Sequence, residues 1–427
     1  MKFLLPLLLL VSISSFGQKA LKLINEKETE RIERTLSADE MKGRKTFSPE
    51  IEKAAAFIAA EFEKNGLQKW KRTDSYLQQF FMVGRKSTSK TGKINNSNIE
   101  SNSIVVISPK AELKVTEGSG YEVQTFGKDK NLMQSIRKII GAEKNTIVFA
   151  DTSNAKLFAR LAQMNAPIFS NHADIILVMT TETPSTFEFD IRQEISNQSL
   201  ANVVGVIPGK SKPNEYVIFS GHYDHIGVNS KNMVNNDSIY NGANDDAAGT
   251  TAVIMLSKYY KELNDNERTL IFATFTAEEV GGYGAQYFSQ QFNPDQVVAM
   301  FNIEMIGTES KWGKNSAYIT GYEKTNMGAI LQKNLEGTDF NFYPDPYPDQ
   351  NLFYRSDNAT LARLGVPAHT ISTSKMDSEP NYHKASDEIG TLNMENMTAI
   401  IRAIAMSAKG IVNGVDTPTR VDTSSLK

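Results

Sequence analysis

Residues 247–263 are apolar on nearly every side at helical spacing, and a helix of that kind is stable only when buried. Short apolar runs flank it, at 216–220 before it and at 270–275, 297–303 and 317–320 after it. Strands alternating with helices imply a largely parallel sheet covered on both faces. We therefore expect an α/β fold with a mixed, largely parallel central sheet, helices on both faces, and a small inserted accessory segment. In such sheets ligands bind outside the carboxyl ends of the strands.

The rest of the chain sets the expected boundaries. Residues 1–17 have the layout of a secretory signal peptide: Lys2, an apolar run over 3–13, then Ser15 and Gly17 three and one before Gln18. That run is shorter than the ~20 residues that span a bilayer, so export to the periplasm or the medium is expected, with no membrane anchor after cleavage. Residues 21–36 read as a helix. A second helix has Ser48 as N-cap, Pro49 at its first position and Asn65-Gly66 at its end. Residues 86–101, rich in Ser, Thr, Lys and Asn, read as an exposed loop. Strands are expected at 103–107, 146–150 and 175–179, and a helix at 155–164. The expected domains are 18–100 with 201–415 as the main body, 101–200 as the insertion, and 416–427 as a tail.

Composition excludes some chemistry. The chain has no cysteine, hence no disulfide, thiol ligand or thiol nucleophile. With 46 Lys+Arg against 49 Asp+Glu and no basic run, nothing favours a nucleic acid or an anionic membrane.

The polar clusters sit where the fold would place a site. Gly221-His222-Tyr223-Asp224-His225 follows the first strand, and His222 and Asp224 fall on one side of extended backbone. Asp245 and Asp246 open the buried helix. Glu278-Glu279 follows the second strand, Glu304 the third, and Asn381-Tyr382-His383 precedes the last helix. Alone, a His-x-Asp is an ordinary hydrogen bond and an Asp pair an ordinary helix cap. Together they bring two histidines and several carboxylates to one sheet edge, a nitrogen and oxygen donor set that suits a pair of zinc ions. His225 reads as a structural hydrogen bond at the border of this group, and His369 as core.

The motifs His222-x-Asp224, Gly242-Ala243-Asn244-Asp245-Asp246-Ala247-Ala248-Gly249 and Glu278-Glu279-Val280-Gly281, with the segment Asp39-Glu40-Met41-Lys42-Gly43-Arg44, resemble the co-catalytic zinc aminopeptidases of the bacterial leucyl-aminopeptidase and aminopeptidase S/Y type. The resemblance implies two Zn2+ per chain and peptide substrates with a free N-terminus. His222 and Glu304 would bind one ion, Glu279 and His383 the other, and Asp245 both. Glu278 would be the general base, Tyr382 a donor to the developing oxyanion, Asp224 the partner that orients His222, and the Asp245–Asp246 peptide bond cis. Asp246 would lie just behind the ligands. Glu304 stands where several relatives have Asp, and Asn381 where many have Asp.

Two other activities share this fold. A glutaminyl cyclase would use one zinc for intramolecular acyl transfer, and a non-catalytic binding module would have lost ligands or base. The complete ligand set and Glu279-Val280-Gly281 speak against both. Oligomeric state and the preferred N-terminal residue are not written in these motifs.

Overall fold

The computed structural model describes residues 19–70, 74–164 and 166–425, so the signal-peptide reading lies outside the described residues. Among those residues no helix is long and apolar enough to cross a membrane. The chain divides into two compact units, Met1–Gln79 with Leu200–Lys427, and Phe80–Ser199.

The first unit is built on the expected mixed sheet. Its strands are the end of β1 (Phe187–Ile207), β2 (Lys212–His222), β3 (Arg268–Phe275), β4 (Val297–Ile303), β5 (Ser316–Ile319), β6 (Asn341–Pro344) and β7 (Ala368–Ser372), in the order β6-β5-β7-β4-β2-β3-β1. The four central strands β7, β4, β2 and β3 are parallel, while β1 runs antiparallel to β3 and β5 to β7. Register does the positioning. His222 pairs with Phe275 and Ser220 with Asn302, so His222, the turn after Phe275 and Glu304 all emerge at the same carboxyl edge.

Helix α3 (Ala248–Leu263) covers this sheet, with α1 (Glu26–Leu36), α2 (Pro49–Lys64) and α4 (Met394–Ser407) contributing to the same core. Beneath α3, Phe219, Phe272 and Phe301 stand side by side on neighbouring strands. Their rings stack at 5.5 Å and 4.9 Å, and Tyr260 of α3 closes on Phe219 at 5.3 Å. Offset aromatic ladders of this sort add to the hydrophobic term. A second core, including Ile218, Ile271, Met300 and Phe288, fills the other face.

Sequence signals at helix ends worked unevenly. Helix α2 begins at Pro49 and ends at Asn65 as expected, but the Ser48 side chain makes no capping bond. The helix expected over 21–36 is interrupted before Glu26, because the Asn25 side chain accepts the backbone N–H of Glu28 and starts α1 afresh.

In the second unit a four-stranded sheet has the order Ile104–Ile107, Ile175–Met179, Thr146–Ala150, Glu122–Phe126. Helices Leu132–Ile140 and Ala155–Ala162 pack on one face of it. Leu113, Val115, Phe187, Phe189 and Ile191 cover the other. Burial on both faces explains why Ile104–Ile107, Thr146–Ala150 and Ile175–Met179 read as apolar runs, whereas the edge strand Glu122–Phe126 is polar and largely exposed.

One expectation fails here. Residues 86–101 are not a loop: residues up to 94 continue the strand Leu77–Ile94, which pairs with Ser97–Ile99 through a two-residue turn. Asn95 and Asn96 at that turn have φ of 48° and 68°, the left-handed pair of a type I′ hairpin, which Asn tolerates. The strand is polar because most of its side chains from Lys86 to Lys93 are exposed or half-exposed. The unit accordingly opens at Phe80 and not at 101.

Candidate metal centre

Two backbone features bring the motif residues together. Gly242 has φ +56°, and a Cβ there would meet Asp245 O at 2.3 Å. The Asp245–Asp246 peptide bond is cis, as the resemblance implied. The Asp246 carboxylate then turns inward and accepts three backbone N–H groups: Gly249 at 2.9 Å, Met305 at 3.1 Å and His222 at 3.1 Å. It thus ties the start of α3 to the ends of β2 and β4. Gly249 is required by this packing, since a Cβ would lie 2.0 Å from Ile303 O and 2.4 Å from Asp246 Oδ2.

Asp224 works in the same way on the neighbouring loop. Its carboxylate accepts Glu278 N at 3.0 Å, Glu279 N at 3.3 Å and the Thr46 hydroxyl at 2.9 Å. It is the Asp224 backbone carbonyl, 3.1 Å away, that faces His222 Nδ1, while the carboxylate is 3.8 Å from that nitrogen. An Nδ1–H donated to the carbonyl leaves Nε2 with its lone pair free.

Arg44 anchors the surroundings. It is wholly buried and donates to Tyr223 O at 2.8 Å, Asn241 O at 2.6 Å, Gly242 O at 2.9 Å and Leu36 O at 2.6 Å. The preceding Gly43 has φ +64° and lies so close to Tyr240 O that a Cβ would sit 2.2 Å from it.

The ligating atoms converge. Asp245 Oδ1 lies 3.2 Å from His222 Nε2, and Asp245 Oδ2 lies 3.2 Å from His383 Nε2. His383 Nε2 is also 3.2 Å from Glu279 Oε2. Ligand atoms of His222, Asp245 and Glu304 lie within 4.8 Å of one another, as do those of His225, Asp245 and Glu279. Two ligands on one tetrahedral zinc, at 2.0–2.1 Å from it, stand about 3.3 Å apart. The three 3.2 Å separations match that spacing, and His222 Nε2 is buried with no hydrogen-bond partner. The donor set therefore suits zinc, with the two oxygens of Asp245 turned to opposite clusters.

Charge points the same way. Asp224, Asp245, Asp246, Glu278, Glu279, Glu304 and Asp357 gather here, with the buried Arg44 guanidinium near Asp224 and Asp246. Burial pushes Glu278 well above the usual carboxylate range, and Glu304, Asp357 and Glu279 add to that. Burial and Asp245 also push Glu279 up, but hydrogen bonds from His225 and His383 overcome them and hold it at about 2. Burial raises Asp357 to about 8, and neither of its oxygens has a hydrogen-bond partner.

Tyr382 stacks on the His383 ring at 4.0 Å and, with Glu304, lines a cleft. Tyr318, Leu352, Met376 and Met305 give that cleft an apolar wall. Arg355 and Ser356 line it as well. His369 is buried in β7, its Nδ1 2.8 Å from Thr320 O and its Nε2 2.8 Å from the Thr325 hydroxyl.

Sequence reasoning overlooked Asp387. Its carboxylate accepts Asn244 N at 2.8 Å and Asp245 N at 3.0 Å, holding the bridging loop from outside. The one available signal was its position four residues after His383.

Comparison with known proteins places this geometry in context. The model for "Peptidase family M28" matches residues 202–408. A probable zinc metalloprotease of Pyrenophora teres f. teres is 30% identical over 111 residues, 26% of this chain and 23% of that protein. A vacuolar membrane protease of Schizosaccharomyces pombe is 22% identical over 248 residues, 57% of this chain and 27% of that one. The chain thus spans about a quarter of the length of these curated relatives. Among solved structures, an aminopeptidase from Aneurinibacillus sp. strain AM-1 superposes with a TM-score of 0.55 at 17% identity, covering 92% of this chain and 95% of that one. BSAP, a zinc aminopeptidase from Bacillus subtilis, gives 0.53 at 16%, covering 92% and 97%. These likenesses bear out the fold.

Proposed function

From the match of residues 202–408 to the model of peptidase family M28, we propose that the protein is a member of that family and an exported zinc aminopeptidase with two metal ions per chain. The observation that carries the reading is Asp245, whose two oxygens each face a different histidine at 3.2 Å. A carboxylate between two clusters of donors is what a metal pair with one shared ligand requires.

In this reading His222 and Glu304 hold one zinc, Glu279 and His383 the other, and Asp245 both. When bound, the pair lowers the pKa of a water and polarises the scissile carbonyl. The chain's own residues do the rest. Glu278 immediately precedes Glu279 on a loop where the backbone N–H groups of both are held by Asp224, so its carboxylate stays beside the ligands without being one of them. It takes the proton of the attacking water and delivers it to the leaving amine. Tyr382 donates to the developing oxyanion from its place against His383. The cleft beside Glu304 and Tyr382 receives the N-terminal side chain, and the carboxylate-rich floor suits a free α-amine. The substrate is a peptide with a free N-terminus, and the residues at 1–17 direct the chain to the periplasm or the medium.

The test is release of a chromophore from an aminoacyl conjugate, measured with zinc content per chain. Wild type should hydrolyse it, while Glu278→Gln should keep its zinc and lose about 10²–10⁴-fold in kcat. A Gln variant with wild-type turnover removes Glu278 as the base.

A further inference from the structure

Two histidines flank Glu279, and their distances assign them different work. His383 Nε2 stands 3.2 Å from Glu279 Oε2 and 3.2 Å from Asp245 Oδ2, the spacing of neighbouring ligands on one tetrahedral ion, about 3.3 Å. His225 Nδ1 stands 2.8 Å from Glu279 Oε1 and 4.0 Å from Asp245 Oδ2. The first distance is that of a charge-assisted N–H···O hydrogen bond and is too short for two ligands of one tetrahedral zinc. The second is too long.

The surroundings of His225 fit a fixed donor. Its side chain is fully buried, whereas that of His383 is 38% exposed and open to an arriving ion. The His225 backbone N–H donates to Arg44 O at 3.3 Å. Its ring packs so tightly on Gly242 that a Cβ there would lie 2.5 Å from Cγ and Cδ2. On the other side the ring meets His383 edge-on at 5.8 Å. His225 Nε2 is buried with no hydrogen-bond partner, so Nδ1 is the polar anchor of the ring.

We propose that His225 is a positioning residue for the second metal pocket: its Nδ1–H holds Glu279 Oε1 and turns Oε2 toward His383 and Asp245. It does for a carboxylate ligand what the Asp224 carbonyl does for His222. The inference rests on the reading of Asp245, Glu279 and His383 as a metal pocket. Partners that orient ligands in this way are worth about 10–100-fold in metal affinity.

The experiment measures stepwise zinc affinities of the full chain by competition with a chromophoric chelator, with the absorption spectrum of the Co2+-loaded protein as a second readout. In His225→Ala one of the two sites should weaken about 10–100-fold and its Co2+ spectrum should shift, with the other site unchanged. His225→Asn places an amide nitrogen near the position of Nδ1 and should recover most of the affinity. His225→Gln carries its amide one bond too far and should not, which keeps the comparison available if the Ala variant does not fold. Wild-type affinities in the Ala and Gln variants overturn the proposal, and so does equal loss in Asn and Gln. A wild-type chain that binds no second zinc overturns the metal-pair reading itself, and this inference with it.

Discussion

Arg44 lies in none of the metal-ligand clusters, yet its replacement by lysine should be among the most damaging single changes in the first unit. Its guanidinium, with no solvent exposure, donates to four backbone carbonyls. Two of these, Asn241 and Gly242, lead into the turn that presents Asp245, and a third, Tyr223, lies between His222 and Asp224. A lysine has one nitrogen and no fork, so it can keep one or two of these bonds while its charge remains buried. Hydrogen bonds to charged groups contribute about 1.5–3 kcal/mol each. Losing two of them gives an expected cost of about 3–6 kcal/mol for Arg44→Lys. Urea unfolding of metal-stripped wild type and variant measures it without a contribution from bound zinc. Zinc affinity should fall as well, because the carbonyls that Arg44 gathers belong to both ligand-bearing segments. A stability change below about 1 kcal/mol with unaltered zinc affinity would refute the reasoning.

Three further outcomes follow from the geometry. Gly249→Ala should lower stability by about 3 kcal/mol or more, since its Cβ would lie 2.0 Å from Ile303 O and overpacking against backbone relaxes poorly; a melting temperature within one degree of wild type contradicts this. Burial depresses His369 from 6.5 to about 4, so as pH falls the unfolded chain takes up a proton before the folded one does. Its contribution is complete above pH 6.5 and is lost toward pH 4, about 3 kcal/mol in all; stability curves of wild type and His369→Gln that run parallel over that window count against it. Chelation should abolish hydrolysis and added zinc restore it, and turnover that survives exhaustive metal removal contradicts the metal assignment.

Much of this was legible because the relevant signals were local. The buried helix was marked by apolar residues on every side, and the parallel strands by short apolar runs ending in polar clusters. Parallel register then brought His222, Glu278, Glu279 and Glu304 to one edge, as strand-end position implied. What escaped was of two kinds. Residues 86–94 form a strand although their composition is that of a loop, because tertiary pairing outweighed propensity and the Asn95-Asn96 turn was a weak cue. The supports of the site were the other kind. Arg44 reaches residues 179 to 198 positions away, and Asp387 holds a loop 142 positions before it. No periodicity marks such contacts. For His225 the sequence suggested a structural hydrogen bond, but Glu279 as its acceptor emerged only from three-dimensional distances.

The most direct test of the account is a crystal structure of the zinc-loaded protein with anomalous diffraction recorded on both sides of the zinc absorption edge. The account predicts two zinc peaks about 3.5–4 Å apart on either side of the Asp245 carboxylate, one beside His222 and Glu304 and the other beside Glu279 and His383. A single peak, or none within reach of Asp245, would contradict it.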